Sequence, residues 1–315
     1  LVAIPSFGQT TANSFPKLGE KTSSPIMMAP PYQIPQAIDD KAKGITMYAG
    51  QLVSQNKKRG WIKFRTGKAS EYVTLKNFTS DEDQHQAHGP YCSAFDGKDC
   101  YTIFCQSYTY GVQPLYFAKL NVATGDTTTI YKFNETEKNR WYIGYDVYAL
   151  SYNHATDEIF GLGKDYETQI IDGEEKIVNA YSVLYTINKE TGEFSEVKKL
   201  DRVYYNFTFD YDGNCYMLRP KAKSETDESI VGTELVKFNG DFNQISAIEC
   251  KSKWGETYIQ KYFGTMSFDF TTGDLWWIPV GDYGATTLYT IDTATGIYDG
   301  KSWFNVGNSF VGLTI

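Results

Sequence analysis

The chain has few of the residues on which catalytic and metal sites are usually built. Its 315 residues include only three histidines and five cysteines. The spacing Cys-x-x-Cys does not occur, so a structural zinc site has no support. Gly-x-Ser-x-Gly, phosphate-loop and dinucleotide fingerprints are also missing, so nothing points to acyl transfer, phosphoryl transfer or Rossmann-type redox chemistry. We therefore expect no metal ion and no other cofactor.

Clustered positive charge and long apolar runs are scarce as well. The net charge is −8 and the isoelectric point is about 5.1. Because phosphate binding needs clustered lysine and arginine, this balance argues against nucleic acid or an anionic membrane as a partner. The one basic run, Lys57 to Arg59, lies in a predicted hairpin turn and is interpreted as a solvated turn. No run reaches the ~18 apolar residues that a membrane span requires, so we expect no membrane insertion.

The cysteine count is odd, which leaves at least one thiol unpaired within the chain. Cys92 and Cys105 could face each other across a hairpin, one diagonal step from ideal pairing. Cys215 and Cys250 are predicted to lie with a strand between them. We favour buried free thiols at all of these positions.

The first residues suggest export. Leu1 to Gln9 resembles the end of a signal-peptide apolar region, with Ser6 and Gly8 spaced like a cleavage site, although an ordinary N-terminal segment is the alternative. We expect residues 1–35 to be a signal-peptide remnant with an extended segment, and residues 36–315 to form a single domain. The protein is then expected outside the cell, either secreted or at the cell surface, and we expect it to be a monomer.

A phrase that recurs along the chain carries most of the information about its fold. Leu-Tyr strands lead to Thr-Gly pairs at 124–125, 191–192 and 295–296, and each is preceded by an alternating strand, a turn and another strand. The alternation of apolar with small polar residues is typical of strands, and the Asp-Gly and Thr-Gly pairs supply the positive φ of tight hairpin turns. Each unit therefore comprises two hairpins, which is the make-up of a propeller blade.

The units begin near residues 90, 147, 205 and 264, at a spacing of roughly 55 to 60 residues that suits four-stranded blades. The run 45–75 resembles strands two to four of another blade, and Phe310 to Ile315 has the form of a first strand. Pairing of this last strand with residues 45–50 would close the ring and leave no open edge. The sequence thus predicts an all-β propeller of five blades. Six or more blades is the alternative, if residues 32–38 supply the missing strand.

Two short motifs outside this pattern have simple interpretations. His85 and His88 lie in the acidic segment that starts at Asp81 and leads into Gly89-Pro90-Tyr91; a metal site could be built from them, but we favour no metal there. Asp210-Tyr-Asp212-Gly213-Asn214 faintly echoes a calcium loop, yet it lacks the full acidic pattern and the closing glutamate, and is interpreted as a hairpin turn.

The loops that lead into each inner strand are the predicted binding site, because in a propeller they converge around the central channel. They span residues 88–91, 142–147, 201–206, 260–264 and 306–310, and each combines aromatic with polar or charged residues. That combination suits stacking on sugar rings or a peptide surface anchored by tyrosine. Packing of these aromatics between blades is the alternative. The predicted ligand-binding residues are His88, Tyr91, Tyr145, Asp146, Arg202, Tyr205, Lys261, Tyr262, Asn308 and Phe310.

We favour binding without catalysis of a glycan or a surface protein. A glycoside hydrolase or lyase is the alternative, with Asp146 and Asp201 as the best-placed carboxylates and Glu256 as a third. Hydrolysis would need such a pair about 5 to 9.5 Å apart, depending on its stereochemistry.

The repeats make the chain resemble secreted β-propeller modules of Bacteroidetes surface and extracellular proteins. The resemblance covers roughly residues 40–315 and rests on the Leu-Tyr-x-Ile-(Asn/Asp)-x-x-Thr-Gly repeat and the closing Phe-x-Gly-Leu-x-Ile strand. It implies an adhesin-like or glycan-binding role, or a scaffold domain of a larger surface protein. It supplies no catalytic residues.

Overall fold

The computed structural model describes residues 44–53, 60–78, 88–108, 111–134, 147–224, 229–255, 262–280 and 285–315. Apart from one turn of 3₁₀ helix at Ala69–Glu71, the regular structure of these residues is β-strand. The strands form five four-stranded antiparallel sheets arranged in a ring. The protein is therefore a five-bladed β-propeller. The predicted fold and blade number are confirmed, and the alternative of six or more blades is wrong.

Blades 2, 3 and 4 are each made from four consecutive strands, numbered from the channel outward. Blade 2 contains β4 (His88–Phe95), β5 (Cys100–Tyr108), β6 (Gly111–Leu120) and β7 (Thr127–Lys132). Blade 3 contains β8 (Ala149–Asn153), β9 (Glu158–Ile171), β10 (Glu174–Ile187) and β11 (Phe194–Lys199). Blade 4 contains β12 (Asn206–Phe209), β13 (Cys215–Ala222), β14 (Ile230–Phe238) and β15 (Gln244–Glu249).

The last strand closes the ring by belonging to two blades. Blade 5 contains β17 (Tyr262–Phe268), β18 (Leu275–Val280), β19 (Ala285–Ile291) and the first part of β20 (Ile297–Thr314), with the short β16 (Lys251–Ser252) beside β20. Blade 1 contains the end of β20 followed by β1 (Thr46–Val53), β2 (Gly60–Arg65) and β3 (Val73–Asn77). Tyr48 pairs with Thr314, and Gln51 pairs with Phe310. The predicted closure through the C-terminal strand is confirmed.

The hydrophobic core is divided among the interfaces between blades. Five clusters of buried side chains are present in the described residues, and each draws on two adjacent blades. In the interface of blades 1 and 2, for example, Trp61 and Phe104 are almost completely buried. This division follows from the alternating strands, since each blade stands on edge and has a neighbour on both faces.

The repeated Thr-Gly turn has both a conformational and a packing reason. In blade 3, the Asn188 side chain accepts hydrogen bonds from the backbone N–H groups of Glu190 and Thr191, 2.9 and 3.0 Å away. Gly192 follows with φ of 72°, a conformation that glycine adopts without strain. A Cβ at Gly192 would lie 2.6 Å from the Cβ of Tyr131 on the preceding blade. The turn therefore packs directly on the outer strand of its neighbour.

Blade 4 has Asn239-Gly240 in place of the Thr-Gly pair, and its turn differs. Asn239 N–H donates to the carbonyl of Asn243, which makes the turn one residue shorter than the turn from Asn188 to Glu193. Phe242 takes the left-handed conformation, with φ of 55°. Its ring is buried against Phe160 of blade 3 at a centroid distance of 5.5 Å. Burial of the aromatic ring offsets the unfavourable backbone conformation.

The five cysteines are all free and buried, as predicted. Cys105 pairs across the hairpin with Gly89, whereas Cys92 pairs with Ile103, so the two thiols do not share a register position. Burial raises the pKa of the Cys100 thiol to about 12. These side chains therefore act as small apolar fillers of the blade interfaces.

Candidate functional site

In the described residues, the inner strands leave little space around the central axis of the propeller. The inner strands β4, β8, β12, β17 and β20 contact one another in that order around it. They leave a cavity whose space for the centre of a water molecule is about 10 Å³, which is room for about one water. The cavity is lined by Cys92, Ser93, Tyr148, Ala149, Leu150, Asn206, Phe207, Gly264, Thr265, Met266 and Gly312. Within the described residues, this cavity therefore has no room for a ligand larger than water.

The connection from β11 into β12 is the best-defined part of the predicted binding site. Ser182 of β10 anchors it, because the Ser182 N–H donates to the carbonyl of Arg202 and the Ser182 hydroxyl accepts from the N–H of Tyr204. The Asp201 carboxylate accepts from Arg202 Nε at 2.9 Å and from the Tyr204 hydroxyl at 3.0 Å. Burial opposes ionisation of Asp201, but Arg202, Tyr204 and Arg219 outweigh it and lower the pKa of this carboxyl.

Polar side chains of blade 4 also contact this connection. Arg219 of β13 is buried and donates to Glu234 at 2.9 Å. Its guanidinium also lies 3.4 Å from the Tyr204 hydroxyl and 3.4 Å from the side-chain oxygen of Gln244. Burial raises the pKa of Tyr204 to about 12, so its hydroxyl remains a donor to Asp201. Arg219 of blade 4 thus contacts the Tyr204 hydroxyl, which in turn donates to Asp201.

Among the predicted binding residues whose side chains the structure describes, the aromatic ones are more buried than the charged one. Phe310 is fully buried, with its ring centroid 4.2 Å from that of Phe304. Tyr205 is 8% exposed, and Tyr91 is half-buried and packs between blades. Arg202 is exposed. In this conformation, Phe310 contributes packing, and Arg202 is the group most available to a ligand.

The other predicted residues are placed less completely. The backbones of His88, Tyr262 and Asn308 lie in β4, β17 and β20, opposite Gln106, Val280 and Ala285 respectively. They therefore belong to strands, where the sequence suggested loops. Tyr145, Asp146, Glu256 and Lys261 lie outside the described residues. The separation of Asp146 from Asp201, on which the catalytic alternative depends, stays a prediction.

An aromatic cluster at the opposite end of the channel was not found from the sequence. His154, Tyr211 and Phe270 follow the first residue of the inner hairpin turns in blades 3, 4 and 5. The Phe270 centroid lies 4.6 Å from that of His154 and 6.2 Å from that of Tyr211. Burial lowers the pKa of His154 to about 4. The sequence did contain a signal for this cluster, because all three residues directly follow an aspartate or asparagine that starts a turn.

Near this cluster, the carboxylate of the turn residue Asp210 is engaged in hydrogen bonds within its own turn. Asp210 accepts hydrogen bonds from the N–H groups of Asp212 and Asn214 and from the Asn214 side chain. The segment from Asp210 to Asn214, which faintly resembles a calcium loop, therefore forms a hairpin turn, as its sequence predicted. In the part of the chain that the structure describes, no group of three histidine, cysteine, aspartate or glutamate side chains is arranged to hold a metal ion. Within the same residues, no helix has the length and apolarity of a membrane span.

Comparison with known proteins found similarities of structure only. No protein-family model and no curated protein matches the chain. It is similar to TolB from Acinetobacter baumannii, with 10% identity and a TM-score of 0.47 over 85% of this chain and 65% of that protein. It is also similar to a GH43_1 enzyme from Xanthomonas citri complexed with xylose, with 10% identity and a TM-score of 0.45 over 71% of this chain and 77% of that enzyme.

A gluconolactonase from Xanthomonas campestris is a third structural neighbour, with 10% identity, a TM-score of 0.36, and coverage of 71% of this chain and 81% of that protein. The chain thus spans less than two thirds of the length of TolB. These similarities concern the propeller architecture alone. The resemblance to secreted Bacteroidetes modules stays a prediction.

Proposed function

We propose that the protein is a non-catalytic extracellular binding module for a carbohydrate or a protein ligand. The ligand contacts the channel end at which residues 201–205 enter blade 4. This is the entrance face, formed by that connection together with the predicted residues of the neighbouring blades. Export from the cell is part of the proposal and is supported by the signal-like residues 1–9.

The exposed Arg202, held by Asp201, is the observation that supports binding, and the state of Asp201 argues only against its use as a general acid. Its carboxylate is already engaged by Arg202 and Tyr204, and its pKa is lowered. A general acid in glycoside hydrolysis needs the opposite, a raised pKa that keeps the proton on the carboxyl group near neutral pH. Asp201 is therefore suited to orient Arg202 rather than to donate a proton.

The small size of the axial cavity determines where a ligand can lie. Since the channel admits about one water, a sugar or peptide rests across the channel end. The Arg202 guanidinium offers several donors to hydroxyl, carbonyl or carboxylate oxygens, while the half-buried Tyr91 offers part of a ring for stacking. Rigid anchoring of residues 201–205 by Ser182 reduces the entropy lost on binding.

A glycan array and a polysaccharide pulldown, each read for retained ligand and for released sugar, test the proposal. A panel of candidate cell-surface proteins is screened in parallel. We expect retention without release, and we expect Arg202→Ala, Tyr145→Ala and Tyr262→Ala to weaken it. Tyr211→Ala is the matched control, because Tyr211 lies at the other end of β12 and is 45% exposed.

Each other outcome has a defined meaning. Released sugar that depends on Asp146 and Asp201 would replace the proposal with a glycoside hydrolase or lyase. Retention that survives the entrance variants but is lost in Tyr211→Ala would move the site to the opposite end. Retention of neither glycan nor protein would contradict a binding module and favour a scaffold domain.

A further inference from the structure

The side chain of Asn206 is a buried polar group on the propeller axis. Asn206 is 1% exposed and lines the axial cavity. Among the residues that the structure describes, none is a hydrogen-bond partner of its amide nitrogen or its amide oxygen. Buried polar side chains are almost always hydrogen-bonded, because an unsatisfied group forfeits its bonds to water on folding. The amide therefore points to a bound species that the protein itself does not supply.

Neighbouring polar side chains of the cavity are used within the fold, which sets Asn206 apart. The Ser93 hydroxyl donates to the carbonyl of Gly312 at 2.8 Å. The Thr265 hydroxyl accepts from the N–H of Leu313 at 2.9 Å. Both bonds join inner strands of different blades. Asn206 has no such bond across an interface, although it lies in the same ring of strands.

The inner-strand repeat explains why no side chain reaches the amide. In four blades, one inner-strand residue lies four positions before the aspartate or asparagine that starts the inner turn; these residues are Cys92, Ala149, Asn206 and Thr265. The corresponding residues of the neighbouring blades 3 and 5, Ala149 and Thr265, have short side chains, and the Thr265 hydroxyl already accepts a hydrogen bond. The equivalent layer of blade 1 contributes Gly312, which has no side chain. Asn206 thus faces space and not a polar partner.

The chemistry of the amide selects the occupant. Its nitrogen donates and its oxygen accepts, so a cation would leave the donor unsatisfied and an anion would leave the acceptor unsatisfied. A neutral molecule that both donates and accepts meets both requirements. The cavity has about 10 Å³ for the centre of a water-sized molecule, which is the lower limit for one water. Size and hydrogen bonding therefore agree on the same ligand.

We propose that the axial cavity is a binding site for one structural water molecule, held by both amide atoms of Asn206. This water completes the hydrogen bonding of the inner-strand ring and fills the axis between the entrance face and the aromatic cluster at the other end. The proposal is independent of the proposed ligand at the entrance face.

A high-resolution crystal structure of the full chain tests the site directly. We expect one isolated density peak within about 2.7–3.2 Å of both the amide nitrogen and the amide oxygen of Asn206. An empty cavity, or an amide rotated onto a protein group, would overturn the proposal. A peak with six or more oxygen neighbours at about 2.0–2.6 Å would also overturn it, because such a site holds a metal ion.

Water-oxygen magnetic relaxation dispersion provides the corresponding test in solution, since it counts waters with long residence times. We expect Asn206→Leu to lower the dispersion amplitude by the contribution of about one buried water. Met266→Leu is the matched control, because it alters the same cavity without removing a polar atom, and should leave the amplitude unchanged. Equal amplitudes in the wild type and a folded Asn206→Leu variant would refute the proposal. If that variant fails to fold, the wild-type crystal structure still decides the question.

Discussion

The half-buried imidazole of His154 makes the stability of the propeller depend on pH. Its ring lies between Tyr152 and Phe270, at centroid distances of 4.7 and 4.6 Å. Desolvation lowers the pKa of His154 from 6.5 to about 4, although the carboxylates of Asp96 and Asp157 oppose this change. The folded state therefore holds the imidazole neutral over a pH range in which the unfolded chain binds a proton.

The sign and size of the effect follow from linkage. Between pH 6.5 and about 4 the unfolded state binds more protons at this site, so the free energy of unfolding falls as the pH falls through that window. At 1.36 kcal/mol for each pKa unit, the whole shift in the pKa of His154 would correspond to about 3 kcal/mol of unfolding free energy. Because the ring retains some contact with solvent, we expect about 1–2 kcal/mol. Above pH 6.5 the contribution of His154 is constant.

Urea unfolding of the wild type and of His154→Phe at pH 7.5 and pH 4.5 measures this contribution. Phenylalanine keeps the ring contacts and removes the titration, so the variant should lose about 1–2 kcal/mol less than the wild type between the two pH values. All other titrating groups are shared and cancel in this difference. Parallel losses in the two proteins, or a His154 pKa near 6.5 by NMR titration, would refute the reasoning.

Further predictions concern the turns, a buried ion pair and the thiols. Gly192→Ala should cost about 1 kcal/mol more in urea unfolding than Gly173→Ala, since both have positive φ but only Gly192 has a neighbour within 4 Å of the added Cβ; equal costs would contradict the packing role of the turn. Arg219→Met should destabilise the protein by about 3 kcal/mol by leaving Glu234 without its partner, and Glu234→Leu in the same chain should restore part of this loss. Independent, additive losses would contradict the pair. Ellman's reagent should label no thiol in the native protein and five in denaturant without reductant; fewer than five would indicate a disulfide.

The repeat predicts the architecture because the same local chemistry recurs in each blade. Asn188 and Gly192 mark a turn whose hydrogen bonds lie within a few residues, so the sequence alone contains its cause. Closure of the ring could also be predicted, since residues 45–75 supply three strands of a blade and the strand pattern at 310–315 supplies the fourth. Phe242 could not be predicted in a left-handed conformation, because the compensating burial comes from Phe160 on another blade.

The candidate site was harder to predict from the sequence than the fold. An aromatic residue before an inner strand suits ligand stacking and interface packing equally well, and only the folded neighbours decide between them. Phe310 lies in the core against Phe304, whereas Arg202 is exposed beside Asp201. The buried amide of Asn206 was also hidden, since its lack of a partner depends on the small residues of three other blades.

The entrance face was predicted from its sequence position, and its role in binding is the central claim. The most direct measurement is titration calorimetry of the first retained ligand against the wild type, Arg202→Ala and Tyr211→Ala, with sugar release followed in the same samples. The account predicts saturable binding without release, weakened at least tenfold in Arg202→Ala, which corresponds to about 1.4 kcal/mol, and unchanged in Tyr211→Ala. Equal affinity in all three proteins, or release of sugar during the titration, would contradict it.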